Sequence, residues 1–304
     1  MKIIKIYHHR AWMAAVLTAF LFTACDTVNT SDDKLTDADV AAIQRIIGDA
    51  ISDQGEGFMS EMYDITSDIS QTGMEQTFTV GDGQIANTET RPRMGHRSQY
   101  QANYNPETGW HQIAFRRIYE GEVFEKYMAA LLRYRFSTEQ GRFLEWPRRH
   151  QEFIHKVEFE GRREGYHRGP FRSSEYLRRG TWTLEGFNTG VMTLAGRQNN
   201  TGTMSVVLRE GGTAEREFDL RFEVVDVTIT QPDEETGQLE QHVTGSMNYY
   251  ITITQTRNGE SRVVQNRGTI ELNGDGTALL RLMGLARVVR IDLVTGEVDE
   301  TPSR

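Results

Sequence analysis

Residues able to do chemistry are plentiful in this chain, but few stand at a spacing that chemistry requires. His150 and His155 are the closest histidine pair in the body of the sequence. Five residues apart in a strand, they face opposite sides and make a poor metal pair. No cysteine lies near them, and no His-x-His or His-Glu-x-x-His pattern accompanies them. His111, His150, His155 and His167 would meet only through the fold. Glu271, Asn273 and Asp275 resemble the start of a calcium loop, but the distal Glu is missing and both flanks read as strand, so a turn is the better reading. Asp233, Glu234 and Glu235 follow Pro232 in a loop suited at most to a loose divalent contact. There is no Gly-x-Ser-x-Gly elbow, phosphate loop or dinucleotide fingerprint. A carboxylate pair for glycoside hydrolysis needs only to meet in space, and nothing singles out two acids. The motifs therefore assign no catalytic residue, no metal ligand and no cofactor.

One stretch is chemically distinctive. Arg142, Arg148, Arg149, Arg162, Arg163, Arg168 and Arg172, interleaved with Trp146, Tyr166 and Phe171, form a basic aromatic run in a chain of net charge -9. Such a run can contact anionic lipid, a glycan or an envelope protein, although a solvated loop and strand rim is the plainer reading. The overall negative charge argues against broad nucleic-acid binding.

The elements that must position these residues are mostly strands. Thr36 and Asp39 resemble a capping box at the head of a helix, with Asp where Glu or Gln is usual. Val40, Ile43, Ile46, Ile47, Ala50 and Ile51 continue it as one apolar stripe, to be covered by the sheet or, alternatively, by a partner or membrane surface. Gly55 and Gly57 end that helix, and a short second element runs through Phe58, Met59, Met62 and Ile65. Ser67 to Asn105 reads as long loop, with a short strand at Phe78 to Val80.

From Trp110 the period is two. Met128, Ala130, Leu132, Tyr134 and Phe136 alternate, and although Phe124 to Leu131 also fits a helix face, the persistence of alternation to Phe136 favours strand. Phe153, His155, Val157 and Phe159 alternate again, whereas Gly161 to Arg179 reads as charged loop. Strands follow one another from Gly180 to Val298, with a loop expected at Asn199 to Gly202 and a hairpin loop at Pro232 to Gln238. A slip of apolar phase predicts a bulge near Val224–Val225, and Asn258–Gly259 is a strong hairpin signal. Gly180 to Gly186 resembles Gly268 to Gly274 in outline, as an internal repeat or as two similar hairpins.

This order predicts a mainly β fold: a large curved antiparallel meander or partial barrel with a short N-terminal helix packed on it, or alternatively a two-sheet sandwich.

The chain begins with Lys2, Lys5 and Arg10, then an apolar run from Ala11 to Phe22, too short for a confident membrane span, closing on Ala24–Cys25. That is the layout of a secretory signal. A lone cysteine directly after the small residue resembles the lipobox of bacterial lipoproteins. The resemblance covers residues 1–25 and implies export, acylation (palmitate) of Cys25, and an anchor in the inner or outer membrane with the domain periplasmic or surface-exposed. The expected organisation is a signal peptide at 1–24, a lipidated tether at 25–35, a helical segment at 36–66 and an antiparallel β domain at 67–304. With one cysteine, no disulfide forms within a single chain. The leading functional expectation is a non-catalytic envelope lipoprotein with a binding or assembly role. The alternatives are a carrier of lipid or other apolar ligand between sheet and helix, and a hydrolase acting on glycan or lipid.

Overall fold

A computed structural model describes residues 35–71, 96–207, 212–231, 238–257 and 260–299. The leader, Cys25, most of the tether, the strand expected at Phe78 to Val80, loop residues 232–237 and the Asn258–Gly259 turn lie outside the described residues.

Helix α1 (Asp37–Ile51) starts as its sequence requires. The Thr36 hydroxyl accepts from Asp39 N at 3.2 Å, and Thr36 N donates to the Asp39 carboxylate at 2.8 Å. Ile43, Ile46, Ile47 and Ile51 are all buried, and each burial is worth roughly 1.5–3 kcal/mol. Residues 52–57 turn the chain into α2 (Phe58–Gln71), which buries Phe58, Met59, Met62 and Ile65. The second helix is longer than its apolar residues alone indicated.

The strands form one 12-stranded antiparallel sheet in strict sequence order. They are β1 (His96–Asn105), β2 (Trp110–Glu120), β3 (Glu125–Ser137), β4 (Lys156–Arg168), β5 (Arg172–Glu185) and β6 (Val191–Val207). The second half comprises β7 (Thr213–Thr230), β8 (Val243–Arg257), β9 (Glu260–Asn273), β10 (Thr277–Leu282), β11 (Val288–Asp292) and β12 (Val298–Asp299). The meander is a single open sheet with both helices on one face, so the sandwich alternative is set aside.

The sheet is bent around the link between the helices. Asp53 N and Gln54 N donate to the carbonyls of Leu293 and Val294, just past β11, each at 2.9 Å. Lys126 Nζ on β3 donates to Gln54 O at 2.6 Å, and Arg178 on β5 donates to Gly55 O. A strip whose third and eleventh strands reach the same few residues must curl. Gly48 sits at this curl: a Cβ there would lie 2.3 Å from the Gly296 carbonyl oxygen, so the approach of α1 to the β11–β12 turn requires glycine.

The inner face carries the core, including Tyr134, Phe136, Phe159, Trp182, Phe222, Tyr249 and Ile270. The outer face carries cross-strand ion pairs among scattered exposed apolar residues such as Ile118, Leu131 and Val263. Arg133 and Arg135 pair across strands with Glu160 and Glu158 at 2.6 and 2.7 Å and both lie over the Trp110 ring. Among the described residues no helix is long and apolar enough to cross a membrane.

Several local expectations are corrected. Gly161 to Arg179 is not a loop but the greater part of β4 and β5, paired in register from Lys156↔Glu185 to Arg168↔Ser173. Its alternation is hidden because the inward positions carry Arg163 and Arg178, matched by charge and carbonyl oxygens on the helices instead of by apolar side chains. Asn199 to Gly202 lies in the middle of β6, laddered to β5 on one side and β7 on the other. Two backbone ladders override the turn preference of those residues, and Asn200 is fully buried. The strand also runs through Gly196, with an irregularity between Leu194 and Arg197. Phe153 belongs to a 3-10 turn, Pro147–Phe153, and is 54% exposed; the strand begins only at Lys156. His96 to Asn105 is strand β1, held by its ladder to β2. The bulge expected near Val224–Val225 is present as a register shift between Val224 and Asp226. Gly180–Gly186 and Gly268–Gly274 each end a strand on a left-handed glycine, at φ 87° and 74°, the geometry that two hairpins share.

Candidate functional site

The helix hairpin is seated on the sheet by ions. Glu61 and Asp64 lie three residues apart on α2 and so share a face, and both side chains are fully buried. Arg163, also at 0% exposure, reaches up from β4 and grips both, one nitrogen on Glu61 and the other 2.7 Å from Asp64. Trp182 Nε1 donates to the second Glu61 oxygen at 2.6 Å. Two glycines opposite one another on β4 and β5, Gly161 and Gly180, make the dent that admits this carboxylate. A Cβ on Gly180 would stand 2.3 Å from Glu61 Oε2. Arg117 on β2 extends the network, 2.8 Å from Glu56 and 3.6 Å from Asp64. Burial by itself would lower the Arg163 guanidinium, but Glu61 and Asp64 outweigh it and hold the group above its ordinary range. Burial pushes the Glu61 carboxyl up, opposed by Arg163 and Trp182. Tyr63 adds a second clamp: its hydroxyl donates to Glu240 at 2.5 Å and accepts from Leu239 N at 2.7 Å.

Beside this cluster the sheet and the helix link leave a cleft of about 330 Å³. Strand alternation decides what faces it. Arg117 and Tyr119 come from β2, Lys126 from β3, His167 from β4, and Arg172, Ser174, Tyr176 and Arg178 from β5. The opposite wall is Arg45 and Asp49 of α1, the link residues Gln54 to Glu56, and Thr295 and Glu297 before β12. Five arginine or lysine side chains therefore face three carboxylates, Asp49, Glu56 and Glu297, in a protein whose overall charge is -9. Arg172 pairs with Asp49, and Arg178 donates to the carbonyls of Gly55 and Asp49. Among the described residues the buried Nε–H groups of Arg172 and Arg178 meet no acceptor.

Aromatic rings complete the lining. Tyr119 and Phe124 stack at 4.8 Å, and Phe124 meets the His167 ring edge-on at 5.6 Å. Arg178 lies 4.4 Å from the Tyr176 ring centre. Burial lowers Lys126 and Arg178 below their ordinary range, against the pull of nearby carboxylates. His167 is lowered by burial and then by Lys126 and Arg172. Burial, with Glu56, raises Tyr176. Removing these groups from water strengthens any charge interaction in the cleft.

The residues read from the sequence as a basic surface divide among different places. Arg163 is sealed in the ion cluster and meets no surface. Arg172 lines the cleft. Tyr166 borders it, while its ring stacks on Tyr127 at 5.5 Å, with Arg168 4.0 Å from its centre. Arg162 pairs with Glu164 on the outer face at 2.8 Å. Arg142 is exposed before the 3-10 turn, Arg148 lies in that turn, and exposed Arg149 covers Trp146 at 4.9 Å. Arg172 alone of that arginine run lines the cleft. The four histidines also scatter: His111 is buried against Leu144 O at 2.9 Å, His150 stands beside Phe153, His155 is backbone-bonded to Ser137 and Gly186, and among these four His167 alone reaches the cleft. Among the described residues no group of three or more metal-ligating side chains converges.

Sequence reasoning missed Arg45, Asp49, Glu56, Arg117, Lys126, Tyr119, Tyr176 and Arg178. One signal for them existed. Phe115–Arg117–Tyr119 and Phe159–Gly161–Arg163 are inward-facing series in which charge replaces an apolar side chain without breaking the period. No protein-family model, curated protein or solved structure matches the chain.

Proposed function

We propose that this protein is a non-catalytic, envelope-anchored binding lipoprotein, tethered through acylated Cys25, and that it holds an anionic ligand in the cleft between the helix link and β2–β5. The observation that carries the reading is the excess of cations (Arg45, Arg117, Lys126, Arg172 and Arg178) over carboxylates in a concave, partly desolvated site of an acidic protein. Oriented donors in a concave site bind an anion at little reorganisation cost, and the volume falls within the range of small-ligand sites, about 300–1,000 Å³.

The same features count against an apolar cargo. The space between helices and sheet is filled by Phe58, Phe159 and Trp182, and the cleft that remains is walled by charge. They also give a hydrolase little to work with, because Glu61 and Asp64 are committed to Arg163, Asp49 to Arg172 and Glu56 to Arg117.

Native mass spectrometry of the gently purified protein tests the reading. A small anionic adduct is expected, and Lys126→Gln with Arg172→Gln should abolish it. A co-purifying lipid retained by that double variant would transfer the assignment to the carrier alternative. The anchor is tested separately: Cys25→Ser should lose fatty-acid labelling and leave the membrane fraction.

A further inference from the structure

The cleft is more specific than a patch of positive charge. A simple anion uses only the donors of a site, yet this one also presents acceptors. Exposed Glu297, and Asp49 shared with Arg172, line it alongside Arg45 and Lys126, while Glu56 is held by Arg117. A carboxylate facing a bound anion is repulsive unless the ligand brings its own O–H or N–H groups to that side. The stacked Tyr119–Phe124 pair supplies a flat apolar surface next to the cations, which suits the C–H face of a ring. Ser174 and Tyr176 add hydroxyls that both donate and accept.

From this juxtaposition we infer that the ligand is a hydroxylated ring bearing one acidic group, that is, a sugar acid or sugar phosphate, standing alone or at the end of a glycan. The inference rests on the anion reading above and deepens it. The acidic group meets Lys126 and Arg172, the partly exposed cations that line the cleft from β3 and β5. Ring hydroxyls donate to Asp49 and Glu297, and the ring packs against the outside of the Tyr119–Phe124 stack. The cleft, at about 330 Å³, has room for one or two such rings.

Isothermal titration calorimetry of the full chain in detergent, at low salt, tests this with five probes: glucuronate, glucose 6-phosphate, glucose, acetate and inorganic phosphate. At least one acidic sugar should bind about tenfold or more tighter than glucose and than the free anion of the same group, the gain expected from one charge-assisted hydrogen bond. Glucuronate above glucose 6-phosphate identifies a carboxylate ligand, and the reverse order a phosphate. Arg172→Gln should weaken the acidic sugar at least tenfold, whereas Glu297→Gln should weaken the sugar but not acetate or phosphate. Circular dichroism establishes that each variant is folded. Equal binding of glucose and the acidic sugars, or no binding of either acidic sugar, overturns the inference. Binding of acetate or phosphate as tight as the acidic sugars overturns it too, while leaving the anion reading intact.

Discussion

Removing Arg163 should be among the most damaging single changes in the protein. Arg163→Met keeps most of the side-chain volume and deletes the charge, leaving Glu61 and Asp64 facing each other at zero exposure with their shared partner gone. Breaking one side of a buried ion pair costs about 3–5 kcal/mol, chiefly because the remaining charge is stranded away from water. At about 2–4 °C per kcal/mol, that is a fall in Tm of roughly 6–20 °C. Urea unfolding followed by tryptophan fluorescence is a direct assay, since Trp182 donates to Glu61 inside the cluster. The triple variant Glu61→Gln, Asp64→Asn, Arg163→Met removes the stranded charges and should recover most of the loss, because the attraction within a buried cluster roughly balances its desolvation. Arg117 then still has Glu56 at 2.8 Å. A single Arg163→Met variant within about 1 kcal/mol of the parent, no worse than an average substitution, would refute the claim that this pair seats the helices.

Gly180→Ala should destabilise by about 1–3 kcal/mol, because its methyl meets a Glu61 carboxylate that cannot retreat; Gly169→Ala, whose new atom meets only Arg172 O at 3.5 Å, should stay within about 0.5 kcal/mol, both by urea unfolding. Tyr63→Phe leaves buried Glu240 and Leu239 N without that hydroxyl and should cost about 1–3 kcal/mol, read as a shift in urea midpoint. His167 faces Phe124 and Lys126, Arg172 of β5, and Arg45 and Asp49 of α1, and its pKa is lowered by burial and the cations. The unfolded chain therefore takes up a proton near pH 6.5 that the native state refuses, so stability should fall as pH drops through that value, and His167→Gln should flatten the decline in a series of melting curves. A bound anion reverses this penalty, so ligand affinity should rise over the same fall in pH in calorimetric titrations, and His167→Gln should remove that rise.

The strands announce themselves locally. Period-two runs such as Met128 to Phe136, the phase slip at Val224–Val225 and the Thr36–Asp39 cap each need only neighbours in sequence, because side-chain direction follows backbone period and the cap runs only from Thr36 to Asp39. Their order along the chain was enough for a bent antiparallel meander carrying a helix. What the sequence alone left undecided was every feature that joins distant strands. Gly161 to Arg179 looked like loop because charge stood where apolar side chains were expected, and it became strand only once α2 supplied Glu61 and Asp64 as partners some hundred residues away. The arginines that looked like one basic face were split by strand alternation, Arg163 inward and Arg162 outward. The cleft belongs wholly to the tertiary structure: Lys126, Arg178 and Glu297 are remote in sequence and meet because the sheet curls until β3, β5 and the approach to β12 border one helix link. Periodicity is a property of a segment, whereas charge compensation and concavity are properties of segments brought together.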